Sequence, residues 1–349
     1  MAINDASESV TIDWLRFPLA AAVVMLHLGA IGVNNPMQTY SALCILLSQG
    51  VCRIAVPCFY FISGYLFFSR LELWDWRTYG DKLRRRFHSL LIPYIVWNII
   101  AAVCIWGYAQ LRSSETDLSF QSFWNHIAEW GGFWDRKGIL PFDGPLWFIR
   151  NLMLYILAAP LIYWFVKYLR YSSVLILETL VLVFDWFPEG FLFFSAGASL
   201  QIHGYNLVDT FKGYRIPSVI ITSLLLFILV PIFRHHPDLY RYWENLFVIT
   251  GTIAVISLAS HFLEIGKLRP RPFLSRSSFF VFCAHNVLIL HEFSRWILYH
   301  TLPFTGEVNA CLDLLLRPAI SVMICLGLYW LIRQFSPGLS RVLSGNRVN

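Results

Sequence analysis

The stretch LRFPLAAAVVMLHL, residues 15–28, is an apolar, helix-forming segment that contains two ionisable residues, Arg16 and His27. An ionisable side chain at the centre of a bilayer costs at least about 2.5–3.5 kcal/mol, so such residues face the interior of a helix bundle. His27 follows Arg16 by eleven positions. At about 100° per residue, this spacing brings both side chains to nearly the same helix face, about 16 Å apart along the axis. The segment therefore predicts a membrane helix with one polar face.

The whole chain has the composition of a polytopic membrane protein. Of its 349 residues, 57% are hydrophobic and only 14% are charged, and its mean hydropathy is +0.58. Soluble domains carry about a quarter charged residues. No polar stretch is long enough to form a soluble domain, so residues 1–349 are expected to form a single membrane domain. The first eleven residues contain no Lys or Arg, so we expect the first apolar segment to be retained rather than cleaved as a signal peptide.

Ten apolar segments approach the length of about 20 residues that a membrane helix needs. They are residues 12–32, 41–68, 89–109, 144–166, 172–187, 189–204, 216–234, 243–265, 278–299 and 312–334. The fifth and sixth are short, so we expect a tight hairpin or partial spans there. The turn at about 110–142 is rich in Trp and Phe, which is typical of a segment lying in the membrane interface.

The distribution of basic residues orients the predicted helices. If the N-terminus is cytoplasmic, most Lys and Arg residues of the turns fall on the cytoplasmic side, in agreement with the positive-inside rule. We therefore predict an all-α membrane protein with about ten transmembrane helices within residues 12–335 and both termini in the cytoplasm. The net charge of +6 reflects this asymmetry, and no nucleic-acid partner is predicted.

Further ionisable residues inside the predicted spans indicate a polar cavity within the bundle. They are Arg53, Arg150, Glu178, His261, Glu264, His285, His291, Glu292, Arg295, Asp313 and Arg317. The six-residue separation of His285 and His291 places them on different helix faces, and no HExxH spacing occurs. The seven cysteines are scattered without a CxxC pair. We therefore expect no metal site and no disulfide framework.

The spacing of Arg16 and His27 suits a slender substrate that lies along the helix. Its charged end would bind Arg16, and its reactive end would reach His27, whose imidazole is a natural general base near neutral pH. Asp13 is placed to hold the Arg16 guanidinium by an i,i+3 contact. The alternative is structural, with an arginine that reaches the interface and a histidine bonded to a neighbouring helix. The spacing alone leaves both open.

Five segments in order along the chain resemble the motifs of the integral-membrane acyltransferase-3 family. RFPLAAAVVMLH (16–27) has the family's R-x10-H form, and RIAVPCFYFISGYLFF (53–68) is similar to its second-span motif. KLRRRFHSLLIPYIVWN (82–98) resembles its basic turn and the proline-containing span that follows. GPLWFIRNLMLY (144–155) resembles its Trp-Phe segment, and FFVFCAHNVLI (279–289) its late histidine-bearing span. The resemblance covers about residues 12–335.

This resemblance implies an O-acyltransferase of the bacterial cytoplasmic (inner) membrane. Such enzymes move an acyl group, commonly acetyl, from cytoplasmic acyl-CoA to a hydroxyl of an extracytoplasmic glycan or lipid-linked sugar, and no metal is implied. The acceptor, the acyl group and the choice between direct transfer and an acyl-enzyme stay open. The alternative is a secondary transporter or exporter of a sugar or lipid-linked substrate, since intramembrane ionisable residues also serve transport.

Carried onto this sequence, the resemblance makes His27 the general base and Arg16 the residue that orients the donor or the histidine. Lys82, Arg85 and Arg86 are expected to bind the phosphates of acetyl-CoA or another acyl-CoA, because clustered cations suit a polyanion. A basic loop that only follows the positive-inside rule is the alternative for these three residues.

The remaining candidate residues are expected to line the substrate cavity. They are Arg53, Arg150 and His285, and for the two arginines a structural carboxylate such as Glu178 is the alternative partner. Ser63, which precedes a glycine, is interpreted as a packing residue rather than a nucleophile.

Overall fold

The computed structural model describes residues 2–69, 74–113, 119, 121–124, 141–301 and 306–346. Across these residues the chain is helical and contains no strand. Most of the predicted interfacial turn at 110–142 lies outside the described residues.

Thirteen helices have both ends within the described part. They are α1 (Ala2–Gly32), α2 (Gln38–Phe68), α3 (Trp76–Arg112), α4 (Gly144–Leu157), α5 (Ala159–Leu169), α6 (Tyr171–Val183), α7 (Glu189–Ile202), α8 (Leu207–Lys212), α9 (Arg215–His235), α10 (Pro237–Glu264), α11 (Pro272–Thr301), α12 (Gly306–Phe335) and α13 (Pro337–Leu343).

Seven of the described helices are long and apolar enough to cross a membrane, namely α1, α2, α3, α9, α10, α11 and α12. Helices α4 and α5 meet at a 65° bend and make an eighth candidate if they are counted as one broken span. The prediction of an all-α polytopic membrane protein is thus confirmed. The orientation of the termini remains a prediction.

The predicted fifth and sixth spans form the short helices α6 and α7, of 13 and 14 residues. At 1.5 Å per residue each is about 20 Å long, whereas the hydrocarbon core of a bilayer is about 30 Å thick. Neither helix crosses a bilayer alone, as their short apolar segments predicted. The described residues therefore contain seven or eight helices long enough to cross a bilayer, fewer than the ten predicted spans, and two short helices where the fifth and sixth spans were predicted to be short.

Helices α2 and α7 cross at two glycines that pack reciprocally. A Cβ atom on Gly64 would lie 1.9 Å from the carbonyl oxygen of Phe194, and one on Gly197 would lie 2.0 Å from that of Phe61. Small residues allow helix backbones to approach this closely inside a membrane. The crossing fixes α2, which carries Ser63 and the aromatic residues before it, against the bundle.

Helix α1 lies in the middle of the bundle, where it packs against α2, α10, α11 and α12. The side chains of Leu15, Leu19, Val23 and Val24 are buried in this packing. Because α1 also carries Arg16 and His27, the neighbours of this helix decide what the two residues contact.

Candidate active site

The packing of α1 against α11 brings His27 next to His285. The two imidazole rings have centroids 5.3 Å apart and are tilted by 40°. His285 is completely buried, whereas His27 is partly accessible. The structure therefore pairs the predicted general base with one of the predicted cavity residues, and of the two only the base is partly accessible.

The protonation of His285 follows from its hydrogen bonds. Its Nδ1 lies 2.8 Å from the carbonyl oxygen of Phe282 and 3.1 Å from that of Val281. A carbonyl oxygen only accepts, so Nδ1 carries the hydrogen and Nε2 keeps a free lone pair. This Nε2 is buried without a hydrogen-bond partner. A buried polar atom without a partner is costly, so the structure holds an unused acceptor beside the His27 ring.

The helix that carries His285 is broken directly after it. Val287 has non-helical angles (φ −76°, ψ 82°), and Leu288 has a left-handed φ of 61°. A non-glycine residue in this conformation costs about 1–3 kcal/mol, and such strain occurs at functional sites. His285 thus stands at the end of a regular helical segment, and its Nδ1 donates to carbonyl oxygens of that segment. The chain changes direction beyond it.

Arg16 is held by the contact that the sequence predicted. Its guanidinium lies 2.7 Å from the carboxylate of Asp13, one turn earlier on α1. Arg86 is within electrostatic range of Arg16. The end of the bundle that contains Arg16, Arg86 and the 267–276 segment is called the basic end below. Along α1, His27 lies about 16 Å from Arg16 toward the other end.

The predicted phosphate-binding residues line a cleft of about 550 Å³ at the basic end. Lys82, Arg85 and Arg86 contribute to its wall, together with Asp81. Lys82 has a structural partner as well, because its ammonium donates to the carbonyl oxygens of Phe67 and Ser69, the latter at 2.8 Å. These carbonyls end α2, so Lys82 caps that helix. Arg85 and Arg86 are the members of the cluster that remain better suited to an anionic ligand.

A small inner cavity of about 60 Å³ lies between the basic end and the histidine pair. Leu90, Ser278 and Phe282 are among its lining residues. Leu90 is one helical turn beyond Arg86, and the ring of Phe282 lies 6.4 Å from that of His285. Ser63 also lines this cavity, next to the tightly packed Gly64. A small, mainly apolar cavity thus lies between the clefts at the basic end and the histidine pair.

Arg53 belongs to an ion-pair network of its own. Its Nε donates to the carboxylate of Glu244, and its Nη2 lies 3.8 Å from Glu189. The partner suggested by the sequence, Glu178, is within electrostatic range of Glu189 but does not pair with Arg53. Arg53 therefore has a carboxylate partner, as the structural alternative predicted, but the partner is Glu244 rather than Glu178.

Arg150 lies near the same network but not at the histidine pair. Its guanidinium donates to the side-chain oxygen of Asn151 at 3.1 Å. Tyr60 and Tyr155 are within electrostatic range of both Arg150 and Glu189. The Tyr60 ring lies 4.5 Å from that of Phe148, which in turn contacts Phe282 at 5.6 Å. Aromatic packing thus connects this polar network to the histidine pair.

One carboxylate near the histidine pair was missed by the sequence reasoning. Asp143 is 1% exposed, and neither of its carboxylate oxygens has a hydrogen-bond partner of normal geometry. The side chain of Asn286, which follows His285 directly, interacts with it. Burial raises the pKa of Asp143 well above its usual range, and the Asn286 side chain opposes this shift only in part. The sequence signal was weak, because Asp143 stands just before the GPLWF segment and reads as a turn residue.

The described residues contain no group of three or more His, Cys, Asp or Glu side chains that could hold a metal ion. His291 is within electrostatic range of His27 but is not part of such a group. The arrangement is therefore one of acid–base residues and cations, which suits proton transfer and the binding of an anionic substrate.

Comparisons with known proteins agree with this arrangement. The family described as Acyltransferase domain matches residues 10–334 of the chain. The Succinoglycan biosynthesis protein ExoH of Rhizobium meliloti (strain 1021) is 27% identical over 371 aligned residues, which cover 98% of this chain and 94% of that protein. No solved structure matches the chain. The family match confirms the resemblance carried by the five motifs and favours an enzyme over the transporter alternative.

Proposed function

The chain belongs to the acyltransferase domain family and is an O-acyltransferase, and we propose that it transfers an acyl group, commonly acetyl, from cytoplasmic acyl-CoA to a hydroxyl of an extracytoplasmic glycan. The similar ExoH protein is named for succinoglycan biosynthesis, which supports a polysaccharide or its lipid-linked precursor as the acceptor. The bacterial cytoplasmic membrane is the proposed location, with the basic end facing the cytoplasm.

The observation that carries this proposal is the pairing of His27 with His285 at the far end of the polar face that begins at Arg16. A polyanionic donor binds at the basic end, where Arg16, Arg85 and Arg86 supply cations and Lys82 lines the same cleft as the latter two. Its slender arm passes the inner cavity and brings the thioester to His27. Arg16 thus orients the donor, and Asp13 orients Arg16.

The chemical step is a proton transfer coupled to acyl transfer. A free ring nitrogen of His27 takes the proton of the acceptor hydroxyl while the oxygen attacks the thioester carbonyl. The tetrahedral intermediate then expels the CoA thiolate, which receives the proton from the His27 imidazolium. The products are the ester and free CoA, so atoms and charges balance. A positioned base supplies about 10²–10⁴-fold, and holding both substrates in one site supplies a further large factor.

His285 supports the base in this proposal. Its Nε2 can accept a hydrogen bond from the N–H of His27, because Nδ1 is already committed to Val281 and Phe282. Such a bond leaves the other nitrogen of His27 unprotonated and free for the hydroxyl. It also stabilises the positive charge that develops on His27 in the transition state. In this proposal, Arg53 and Arg150 lie in the wall of the acceptor site and do not contact the reacting atoms.

The test compares acyl transfer by wild-type and His27→Ala proteins. Membranes from a deletion strain that expresses each protein at an equal level are supplied with labelled acetyl-CoA, and label in the glycan fraction is counted. We expect transfer by the wild type and a loss of at least about 100-fold in the variant. His300→Ala is the matched control, since His300 is an exposed histidine whose Nδ1 lies 2.8 Å from the carbonyl oxygen of Trp296, one turn earlier on α11. Full activity of His27→Ala would overturn the assignment of the base.

A further inference from the structure

The segment KLRPRPFLSR, residues 267–276, forms a second basic surface at the same end of the bundle as Arg16. It joins α10 to α11 and lines two adjoining clefts of about 380 and 400 Å³. Both clefts are lined by Arg271 and Ser275 from this segment and by Asp13 and Trp14 from α1. From the sequence, these basic residues are predicted only to contribute to the positive-inside asymmetry.

The charge of the two clefts is strongly positive. Their described lining includes the cations Arg16, Lys267, Arg269, Arg271 and Arg276. Asp13 is the one carboxylate among the lining residues, and it is already paired with Arg16 at 2.7 Å. Like charges gathered around concave space repel one another, and a bound anion relieves this repulsion. A basic turn that only follows the positive-inside rule does not need to form concave clefts.

The clefts also contain features that suit a nucleotide rather than a simple anion. Trp14 lines both, and Phe17 lines the first, so planar aromatic surface lies beside the cations. Bases stack on such rings, and arginines bind phosphates through paired N–H groups. Pro270 and Pro272 flank Arg271, whose backbone is extended (φ −122°, ψ 96°). Proline fixes its own backbone angle and restricts the residue before it, so the arginine is presented with little freedom.

We propose that these two clefts bind the adenosine 3′-phosphate end of the acyl-CoA donor, with Arg269 and Arg271 on the 3′-phosphate and Trp14 against the adenine. This inference rests on the proposed use of acyl-CoA. The pyrophosphate then lies toward Arg16 and Arg86, which are within electrostatic range of each other. From Arg16 the pantetheine arm extends toward His27, about 16 Å farther along α1. The 82–86 cleft therefore contributes Arg86 to the donor site but does not hold the nucleotide.

The structure favours the 267–276 clefts over the 82–86 cleft for the nucleotide. In the 82–86 cleft, the Lys82 ammonium already binds two carbonyl oxygens, and Asp81 adds a negative charge. Its aromatic lining residue, Phe67, is buried at 3% exposure. The other clefts instead offer a partly exposed Trp14 next to Arg271.

The test measures the affinity of the purified full-length protein for CoA and for 3′-dephospho-CoA, which lacks only the phosphate in question. We expect the wild type to prefer CoA by about tenfold or more, the size of a charge-assisted contact. The double variant Arg269→Ala/Arg271→Ala should lose this preference and bind 3′-dephospho-CoA as the wild type does. The control Arg77→Ala/Arg112→Ala removes the same net charge from two exposed residues that line neither cleft and should keep the preference.

Each other outcome overturns a specific part of the reasoning. If the double variant keeps the full preference for CoA, the 3′-phosphate binds elsewhere and the inference is wrong. If Arg85→Ala abolishes the preference instead, the 82–86 cleft holds the nucleotide. If the wild type binds neither compound, acyl-CoA is not the donor, and this part of the proposed function fails together with the inference.

Discussion

His285 provides the sharpest test of the proposed mechanism, because its Nε2 has no hydrogen-bond partner and its ring lies next to that of the proposed base. In His285→Leu the ring and its Nε2 acceptor are removed, while a buried apolar side chain of moderate size remains. In His285→Gln the side-chain oxygen lies close to the original position of Nε2 and can still accept a hydrogen bond from His27. The two variants thus separate the acceptor from the volume of the side chain.

The expected magnitude follows from the hydrogen bond that His285 can offer. A hydrogen bond to a charged group contributes about 1.5–3 kcal/mol, and the His27 ring becomes charged only as the hydroxyl proton is transferred. Since about 1.4 kcal/mol corresponds to a factor of ten in rate, His285→Leu should lower kcat by about 10- to 150-fold. His285→Gln should recover a large part of that loss. KM for the acyl-CoA should change little, because the basic end lies about 16 Å away along α1.

The assay is acyl transfer from labelled acetyl-CoA in membranes, combined with a double-mutant cycle with His27→Ala. If His285 acts through His27, its substitution should have almost no further effect once His27 is alanine. The reasoning is refuted if His285→Leu lowers the rate equally in both backgrounds. It is also refuted if His285→Gln is as inactive as His285→Leu while both proteins unfold at the wild-type temperature.

Three further predictions concern other parts of the bundle. Gly64→Ala should destabilise the protein by about 1–3 kcal/mol or more, because the new Cβ would lie 1.9 Å from the carbonyl oxygen of Phe194. The control Gly107→Ala should not destabilise it, because no atom lies within 4 Å of the new Cβ. Thermal unfolding in detergent distinguishes the two variants. Asp143→Asn should raise the unfolding temperature more at pH 7.5 than at pH 5. Burial raises the pKa of Asp143 in the folded protein, so the wild type loses stability as the pH rises above the unfolded pKa of about 4. An equal gain at both pH values would show that the charge is not the cause. Arg53→Met leaves the two glutamates of its network without their cation and should lower the free energy of unfolding by about 3 kcal/mol. This is the lower part of the range for a broken buried pair, because the Arg53 side chain is a third exposed. Unchanged thermal unfolding would refute this prediction.

The fold and one helix face could be predicted from the sequence because they depend on local periodicity. Apolar segments identified the long helices, and the i,i+3 spacing identified the contact between Asp13 and Arg16. The eleven-residue spacing likewise placed Arg16 and His27 on one face. Each of these properties is set within one helix and needs no knowledge of its neighbours.

The partners of these residues could not be predicted, because they depend on which helices pack together. The sequence offered Glu178 as the partner of Arg53, but the packing of α2 against α10 supplies Glu244 instead. His285 was expected in the cavity, yet its contact with His27 results from the packing of α1 against α11. Asp143 gave no periodic signal at all, since its burial depends on tertiary contacts around a turn.

The length of the polar face on α1 limits the kind of donor that the enzyme can use. With the proposed roles of Arg16 and His27, a donor places anionic groups at the basic end and its acyl carbon at His27, about 16 Å farther along the helix. The inner cavity at this level of the bundle measures about 60 Å³, so the proposed site suits a slender connecting part. Acetyl phosphate has no such arm, and binding its phosphate at Arg16 would leave its carbonyl far from the base. A phosphopantetheine thioester has phosphate at one end and the acyl group at the other, and the clefts that we propose to bind a nucleotide beside Arg16 would favour CoA over a carrier protein.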